Sequence, residues 1–321
     1  MADRQAVVAV QPREGAPRRP QPQPSAARSL VAIDWGTSSL RGARLGDDGS
    51  VLEERSFARG ILTVPAGGFA AVFDALFGDW MQAPDELALI AGMAGSRQGW
   101  TEAPYCACPA GLTEVAAQLA WVVPGRIAIV PGLSCEHSGA PDVMRGEETQ
   151  IFGALRLLGI DRGTLLLPGT HSKWVQVAGG RIHEFATAMT GEFYALLRQH
   201  SILARTLPAE DGAFDGAAFD AGVGHALRSP GLLQSAFSAR TLALFERQPE
   251  AQRPSYLSGL VIGEELRARA PASVDPVIVI GAEALTQRYA RALAALGVPT
   301  VAIGAPAAWR GLYEIAQKIE A

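Results

Sequence analysis

Short apolar runs alternate with helical repeats of apolar residues along most of this chain. The continuous runs predict buried strands at residues 30–33, 87–91, 127–130, 165–167 and 277–280. Apolar residues spaced three and four apart predict amphipathic helices, among them 68–80, 151–158, 190–204 and 285–296. Strands and helices in this order indicate an α/β fold, in which the loops after the strands point into a cleft.

Two of the predicted strands begin nearly identical segments. Residues 30–45 (LVAIDWGTSSLRGARL) and 165–177 (LLLPGTHSKWVQV) each hold an apolar strand, a glycine turn with hydroxyl groups and a second strand. Because they are far apart in the chain, each is placed near the start of one half of a duplicated protein. The alternative interpretation is two ordinary β-hairpins with polar turns.

The two turns have the composition of phosphate-binding loops. In each, a glycine permits close approach, and successive N–H groups and hydroxyls converge on one anion. The predicted phosphate contacts are Gly36, Thr37 and Ser38 in the first turn, and Gly169, Thr170, His171 and Lys173 in the second. Bracing of its own loop is the alternative role of His171, and a solvated strand position that of Lys173.

An acid distinguishes the two turns. Asp34 lies two residues before Gly36, at a strand end, where a carboxylate can hold a hydrated Mg²⁺. Leu167 occupies the equivalent position of the second hairpin. This difference predicts one metal ion, held by Asp34, with Lys173 supplying positive charge from the other half.

Size and charge narrow the class of partner. The 321 residues fit two domains with a cleft between them, predicted as residues 29–155 and 156–321 after a disordered Pro- and Arg-rich tail at 1–28. A net charge of −4 with scattered cations argues against nucleic acid and against an anionic membrane surface. A small molecule is therefore the predicted partner.

Cysteine usage and hydropathy predict a cytoplasmic location. The three cysteines form no disulfide framework, which indicates a reducing compartment. A zinc site at Cys106, Cys108, Cys135 and His137 lacks the usual two-residue spacer and is not favoured over buried thiols. No run approaches the roughly 18 apolar residues of a membrane span.

Taken together, the motifs resemble those of the sugar kinase, actin and heat-shock ATPase superfamily, whose two ribonuclease H-like domains close on ATP. The closer resemblance is to the 2-dehydro-3-deoxygalactonokinase family, which shows runs like AIDWGTSSLR at 32–41, AGMAGSRQGW at 91–100, VMRGEETQIFGA at 143–154, PGTHSKWV at 168–175 and MTGE at 189–192. The resemblance implies Mg²⁺-dependent transfer of phosphate from ATP to the terminal hydroxyl of 2-dehydro-3-deoxygalactonate, in galactonate breakdown.

Such a transfer needs an acceptor for the hydroxyl proton. The segment Gly146-Glu147-Glu148-Thr149 resembles the Gly-Asp-Gln-Gln element that carries the base in related carbohydrate kinases, which implies Glu147 as the base. Asp142 and Glu148 are the rival candidates. Acids are also favoured in a first helical turn by the helix dipole, so a structural role for either glutamate is the alternative.

The implied substrate carries a carboxylate, which an arginine can bind with two parallel hydrogen bonds. Among the candidates we favour Arg97. The other predicted substrate residues are Arg41, Ser96, Trp100, Tyr105 and Arg145. Surface ion pairs are the alternative for the arginines, and simple packing is the alternative for Tyr105.

The last predicted features are an adenosine site and two competing functions. The strand at 277–280, the turn at Gly281 and the following helix could seat adenosine. A kinase for another 2-keto-3-deoxy sugar acid is one alternative function. A nucleotide-gated protein-binding module of the actin or chaperone type is the other, and a homo-oligomer is compatible with each of these functions.

Overall fold

The structure, a computed structural model, describes residues 29–269 and 275–319. The tail predicted at residues 1–28 lies outside these described residues. The strands are β1 Leu30–Trp35, β2 Leu40–Leu45, β3 Val51–Phe57, β4 Leu87–Gly92, β5 Tyr105–Ala107, β6 Ala120–Val123, β7 Ile127–Ile129, β8 Gly132–His137, β9 Ala140–Met144, β10 Gly163–Leu167, β11 Ser172–Ala178, β12 Arg181–Ala188, β13 Val277–Ile280 and β14 Thr300–Ile303.

Ten α-helices accompany these strands in the described residues. They are α1 Phe69–Phe77, α2 Leu112–Ala116, α3 Glu147–Leu158, α4 Thr190–His200, α5 Gly216–Arg228, α6 Leu232–Ser235, α7 Ser238–Leu244, α8 Arg253–Arg269, α9 Glu283–Ala294 and α10 Pro306–Ala316. Within 29–269 and 275–319, no helix combines the length and the apolar character that a membrane crossing requires.

The strand order shows that the fold is duplicated. The first large sheet has the order β3-β2-β1-β4-β7-β6, and the second has the order β12-β11-β10-β13-β14. In both, the first three strands along the chain pair antiparallel, and two later strands, β4 and β7 or β13 and β14, extend the sheet in parallel. In the first sheet β6 adds an antiparallel edge strand beside β7. The predicted α/β fold with two ribonuclease H-like, actin-like domains is confirmed. Each glycine turn of interest connects the first two strands of its sheet.

Two crossing helices separate the large sheets. Helix α3 packs against α10 so closely that a Cβ on Gly153 would lie 1.8 Å from the Ala307 carbonyl oxygen, and one on Gly311 would lie 1.7 Å from the Thr149 oxygen. Backbone therefore meets backbone at this crossing. Apolar residues of both helices and of both sheets form one continuous core.

The path of the chain at its end differs from a simple succession of two halves. Helix α10 comes last but packs on β1, β2 and β4 of the first sheet. Its buried face includes Trp309, Leu312 and Ile315, which share a core with Leu30 and Leu45. The predicted division at residue 155 falls inside α3 and stays a prediction, because this core spans both sides of it.

Candidate active site

The first glycine turn follows β1 and exposes its hydroxyls. The Gly36 amide donates to the Ser39 carbonyl at 2.9 Å, and the side chains of Thr37 and Ser38 are exposed. Asp34, at the end of β1, is the cross-strand partner of Arg41 on β2, and the two side chains form a 2.5 Å ion pair. The structure thus places Arg41, predicted to bind substrate, directly on the predicted metal ligand.

The second glycine turn follows β10. Thr170 is exposed, and the His171 imidazole lies 2.6 Å from the Glu192 carboxylate of α4. The Glu192 amide in turn donates to the Thr170 carbonyl at 3.0 Å. In this structure His171 therefore braces its own loop, which is one of the two roles that the sequence left open.

A glycine from a neighbouring segment supports each turn. A Cβ on Gly60 would lie 2.2 Å from the Thr37 carbonyl oxygen, and a Cβ on Gly191 would lie 2.5 Å from the Gly169 oxygen. Only a residue without a side chain permits these approaches. Neither packing role was predicted from the sequence, although Gly191 lies in the MTGE motif.

Glu147 opens α3 and interacts with a charged group from each hairpin. Its Oε2 accepts a 2.9 Å hydrogen bond from the Arg145 amide. Burial raises the pKa of Glu147, the Lys173 ammonium opposes this shift, and the Asp34 carboxylate adds to it. The structure therefore brings together three of the predicted site residues, Asp34 and Glu147 from the first half and Lys173 from the second.

Glu148 points into the protein and is fully buried. Its Oε2 accepts from the Gly146 amide at 2.7 Å, whereas its Oε1 has no hydrogen-bond partner. Burial, helped by the nearby Glu147 charge, raises the pKa of Glu148 to about 8. A side chain without solvent access is poorly placed to meet a substrate hydroxyl.

Asp142 and Lys173 join the small sheet of β5, β8 and β9 to the second large sheet. The Asp142 carboxylate accepts from the Thr187 amide at 2.7 Å and from the Thr187 hydroxyl at 2.6 Å. The Lys173 ammonium, buried on β11, donates to the Val143 carbonyl at 2.9 Å and to the same hydroxyl at 2.7 Å. Both side chains thus hold the segment that leads into Glu147.

The loop after β4 contains three predicted substrate residues in different surroundings. The Arg97 side chain is 88% exposed, and its Nε donates to Glu102 at 3.0 Å. Trp100 packs against Trp35 of β1 and Phe73 of α1. The Ser96 hydroxyl is buried and has no hydrogen-bond partner.

Arg145 supports this loop from below. Its guanidinium stacks 4.3 Å from the centre of the Tyr105 ring and donates to the Ala103 carbonyl at 2.8 Å. A Cβ on Gly95 would lie 2.8 Å from its Nη1, and its Nε and Nη1 are buried without hydrogen-bond partners. In this conformation Arg145 is a half-buried support of the loop, whereas the Arg97 side chain extends into solvent and pairs only with an exposed acid.

A cavity of about 260 Å³ adjoins the second turn. Its walls combine the glycine turn with apolar and hydroxyl side chains of α4, α8 and α9, and the lining residues are Gly169, Thr170, Thr190, Gly191, Tyr194, Ser258, Val261, Ile262, Leu285, Arg288 and Tyr289. Gly281 lies next to the start of the second turn, because a Cβ placed on Gly281 would be 3.8 Å from the Pro168 carbonyl oxygen. The turn, the cavity and the predicted adenosine helix are therefore contiguous.

Possible metal ligands do not gather into a large cluster in the part of the chain that the structure describes. No group of three or more His, Cys, Asp and Glu side chains there is arranged to hold a metal ion. The three cysteines are free thiols, and burial raises the pKa of Cys108 to about 12. A single carboxylate such as Asp34 suits Mg²⁺, which keeps several waters and binds phosphate oxygens.

Comparison with known proteins identifies the family. The model of the 2-keto-3-deoxy-galactonokinase family matches residues 34–315. This chain belongs to that family. Among relatives of this kinase family, the chain is 35% identical over 292 residues to the 2-dehydro-3-deoxygalactonokinase of Escherichia coli (strain K12), covering 90% of this chain and 98% of that protein.

Two further comparisons extend the likeness within the 2-keto-3-deoxy-galactonokinase family. The chain is 40% identical to the probable 2-dehydro-3-deoxygalactonokinase DgoK1 of Rhizobium meliloti (strain 1021), covering 90% of this chain and 97% of that one. A crystal structure from Sinorhizobium meliloti, bearing the same kinase name, matches with a TM-score of 0.83 at 38% identity over 91% of this chain and 99% of its own.

A distant structure shares the fold alone. Component A of the (R)-2-hydroxyglutaryl-CoA dehydratase of Acidaminococcus fermentans matches with a TM-score of 0.51 at 14% identity, over 91% of this chain and all of the other. This member of the 2-keto-3-deoxy-galactonokinase family thus shares its fold with a protein of a different name.

Proposed function

We propose that this protein transfers the γ-phosphoryl group of ATP to the 6-hydroxyl of 2-dehydro-3-deoxy-D-galactonate in galactonate breakdown. Family membership supports the reaction class, and the names of the relatives support the substrate. A cytoplasmic location and a small sugar acid as partner, both predicted from the sequence, belong to the same proposal.

The observation that carries the proposal is the position of Glu147. This carboxylate opens α3, interacts electrostatically with Asp34 and with Lys173, and is only partly buried. Phosphoryl transfer requires a nucleotide and a hydroxyl to meet in line beside a proton acceptor. A carboxylate between a strand end of one sheet and a buried lysine of the other meets the last requirement.

The nucleotide is assigned to the two glycine turns and the adjoining cavity. In this proposal Gly36, Thr37 and Ser38 of the first turn and Gly169 and Thr170 of the second contact the phosphates, and the 260 Å³ cavity takes the adenosine. Its apolar walls and hydroxyl groups are typical of small-molecule sites. Lys173, whose ammonium is held by the Val143 carbonyl, acts on the site through its charge.

Asp34 is the residue that would hold Mg²⁺. Its half-buried carboxylate offers hard oxygen ligands, and its present partner is the guanidinium of Arg41, which a cation would replace in neutralising the acid. Bound Mg²⁺ supplies charge neutralisation on the phosphate oxygens. Arg41 is then free to pair with phosphate or sugar acid.

Glu147 is the proposed general base. The sugar hydroxyl oxygen attacks the γ-phosphorus, the bond from that phosphorus to the β,γ-bridging oxygen breaks, and ADP leaves. The hydroxyl proton passes to the Glu147 carboxylate. Burial raises the pKa of this carboxyl, which strengthens it as a base at the cost of activity in acid.

The sugar-acid carboxylate is assigned to Arg97. Its side chain is largely exposed and held only by an exposed pair with Glu102, a contact of small net energy that a substrate carboxylate can replace. Arg145, Ser96 and Tyr105 then shape the floor beneath the substrate. Asp142 holds the approach to Glu147 and is not assigned to the reaction.

A coupled assay of ADP release tests the function. We expect turnover with 2-dehydro-3-deoxy-D-galactonate, slower turnover with its gluconate epimer and none with ATP alone. In Glu147→Gln, kcat should fall by about 10²–10⁴-fold while the Kd for ATP stays within about twofold, because a general base acts only in the transition state. Glu102→Gln is the matched control and should keep its kcat.

Three results would each contradict a different part of the proposal. No turnover with any sugar acid would remove the kinase assignment, and a higher kcat/KM for the epimer would replace the substrate. If Glu147→Gln retained its rate while Glu148→Gln or Asp142→Asn lost it, the base would have to be reassigned to that residue.

A further inference from the structure

A buried carboxylate on α8 stands outside all the roles assigned so far. Glu265 is 5% exposed. Its Oε1 accepts from the Trp174 indole at 2.7 Å, and its Oε2 accepts from the Tyr289 hydroxyl at 2.6 Å and from the Thr190 hydroxyl. Because all three partners donate, both carboxylate oxygens act as acceptors.

These hydrogen bonds continue to the second glycine turn. The Tyr289 hydroxyl gives its proton to Glu265, so it accepts from the Ser172 hydroxyl, 3.0 Å away. Ser172 is buried and directly follows His171. The end of the turn is therefore connected to Glu265 through one phenol group.

The same carboxylate also holds the wall of the adjoining cavity. Thr190 and Tyr289 both line the cavity and both donate to Glu265. Gly191, next to Thr190, is the glycine that packs on the Gly169 carbonyl. Glu265 thus joins strand β11, the start of α4 and helix α9 around one side of the cavity.

We propose that Glu265 is a positioning residue that sets the affinity for nucleotide. Through Thr190 and Tyr289 it fixes the cavity wall against the second turn, so that adenosine and phosphates are met in one rigid arrangement. The inference rests on the proposed function, because it takes this cavity and turn as the nucleotide site. Burial keeps the carboxylate itself from touching the ligand.

The test separates nucleotide affinity from general damage. In Glu265→Gln the amide nitrogen cannot accept, so the hydroxyls of Tyr289 and Thr190 lose their charged acceptor and can only turn to accept weaker, neutral hydrogen bonds; the volume of the side chain is kept. We expect the KM for ATP and the calorimetric Kd for ADP to rise about tenfold, with the KM for the sugar acid changed by less than about twofold.

Two further variants complete the test, one as a matched control and one as a second probe of the cavity wall. Trp174→Phe removes a donor to Glu265 from a residue that does not line the cavity, so its Kd for ADP should change by less than about threefold. Thr190→Val keeps the shape of the cavity and removes a donor from its wall, so it should weaken ADP binding like Glu265→Gln. If Glu265→Gln lacks a native circular dichroism spectrum, Thr190→Val tests the inference in its place.

The outcomes distinguish this inference from the proposed function. If the wild-type protein binds ADP and both Glu265→Gln and Thr190→Val bind it equally well, the inference is overturned and the kinase assignment stands. Equal increases in both KM values, or a Trp174→Phe effect as large as the others, would also overturn it. A wild-type protein without ADP binding overturns both proposals.

Discussion

The two glycine turns share a backbone plan but differ in their charges. Each joins the first two strands of its sheet, and each is packed by one glycine from a later segment. In the first, Asp34 faces Arg41 across the strands at the end of the hairpin, whereas in the second Leu167 faces Lys173. The first hairpin therefore carries an acid with its own counter-charge, and the second carries a lone cation.

The cation of the second hairpin acts outside its own hairpin, and this makes the site of a duplicated fold asymmetric. The Lys173 ammonium leaves its own hairpin and binds the Val143 carbonyl, four residues before Glu147. Its charge lowers the pKa of Glu147, and that of Asp34 raises it. One hairpin thus supplies the metal candidate, while the other tunes and holds the base.

The largest effect is expected from exchanging the acid of the first hairpin. Asp34→Asn should lower kcat by about 10²–10³-fold, because it removes the charge that would hold Mg²⁺ beside the phosphates. Rates at saturating ATP and graded Mg²⁺ measure this. At the equivalent position of the second hairpin, Leu167→Met should cost less than about 1.5 kcal/mol of stability and keep kcat. Equal losses in both variants would remove the asymmetry.

Because one glycine supports each turn, we predict a similar loss of stability when either glycine is replaced. Gly60→Ala and Gly191→Ala force a methyl group to within 2.2 and 2.5 Å of turn carbonyl oxygens, so each should lower the free energy of unfolding by about 1–3 kcal/mol. Urea denaturation measures this. Gly212, with open space around its Cβ position, provides the control variant Gly212→Ala. Unchanged stability in either turn variant would show that the turn is not supported there.

Glu148 offers a contrast to Glu147, since it is buried away from solvent. Its pKa of about 8 lies above that of the unfolded chain, so the folded state binds the extra proton and stability falls as pH rises from about 4.5 to 8. Glu148→Gln removes this loss. Relative to the wild-type protein, the free energy of unfolding of Glu148→Gln should increase by at most about 1.4 kcal/mol per pH unit between pH 4.5 and 8. Thermal unfolding from pH 5 to 8 measures it, and a gain independent of pH would contradict it.

The smallest effect is a pair of opposite shifts in the pKa of Glu147. Lys173→Met removes the charge that lowers this pKa, so the acid limb of the pH–rate profile should move to higher pH. Asp34→Asn removes a charge that raises the pKa, so titration of the Glu147 carboxyl, followed by ¹³C NMR, should move to lower pH. Shifts in the same direction would show that the two hairpins do not act on Glu147 separately.

Local patterns predicted the elements well where the chain determines its own structure. The apolar runs at 165–167 and 277–280 are strands, and the helix predicted at 68–80 begins at Phe69. The helix predicted over 190–204 ends at His200, because the Ser201 hydroxyl accepts from the Leu203 amide and starts a new turn there. Such capping competes with helix continuation but leaves the apolar spacing unchanged.

Features that depend on distant contacts could not be predicted from these patterns. In the sequence Gly60 looks like an ordinary loop residue, Gly191 like a residue in the first turn of a helix, and Glu265 like a polar position on a long helix. Their roles come from backbone atoms and donors far away in sequence. For the same reason the roles of Arg97 and Arg145, indistinguishable by residue type, became separable only from the structure, in which Arg97 is exposed and two guanidinium nitrogens of Arg145 are buried.

The return of α10 to the first sheet has a consequence for synthesis. A ribosome makes this helix after every strand of both large sheets, so the apolar residues of β1, β2 and β4 that it covers remain open until the second sheet has been synthesised. Folding of the amino-terminal half during synthesis therefore cannot finish ahead of the carboxyl-terminal half, in contrast to chains whose domains mature one after another. A premature stop codon before Pro306 would remove from the core shared by the two sheets the helix that covers β1, β2 and β4.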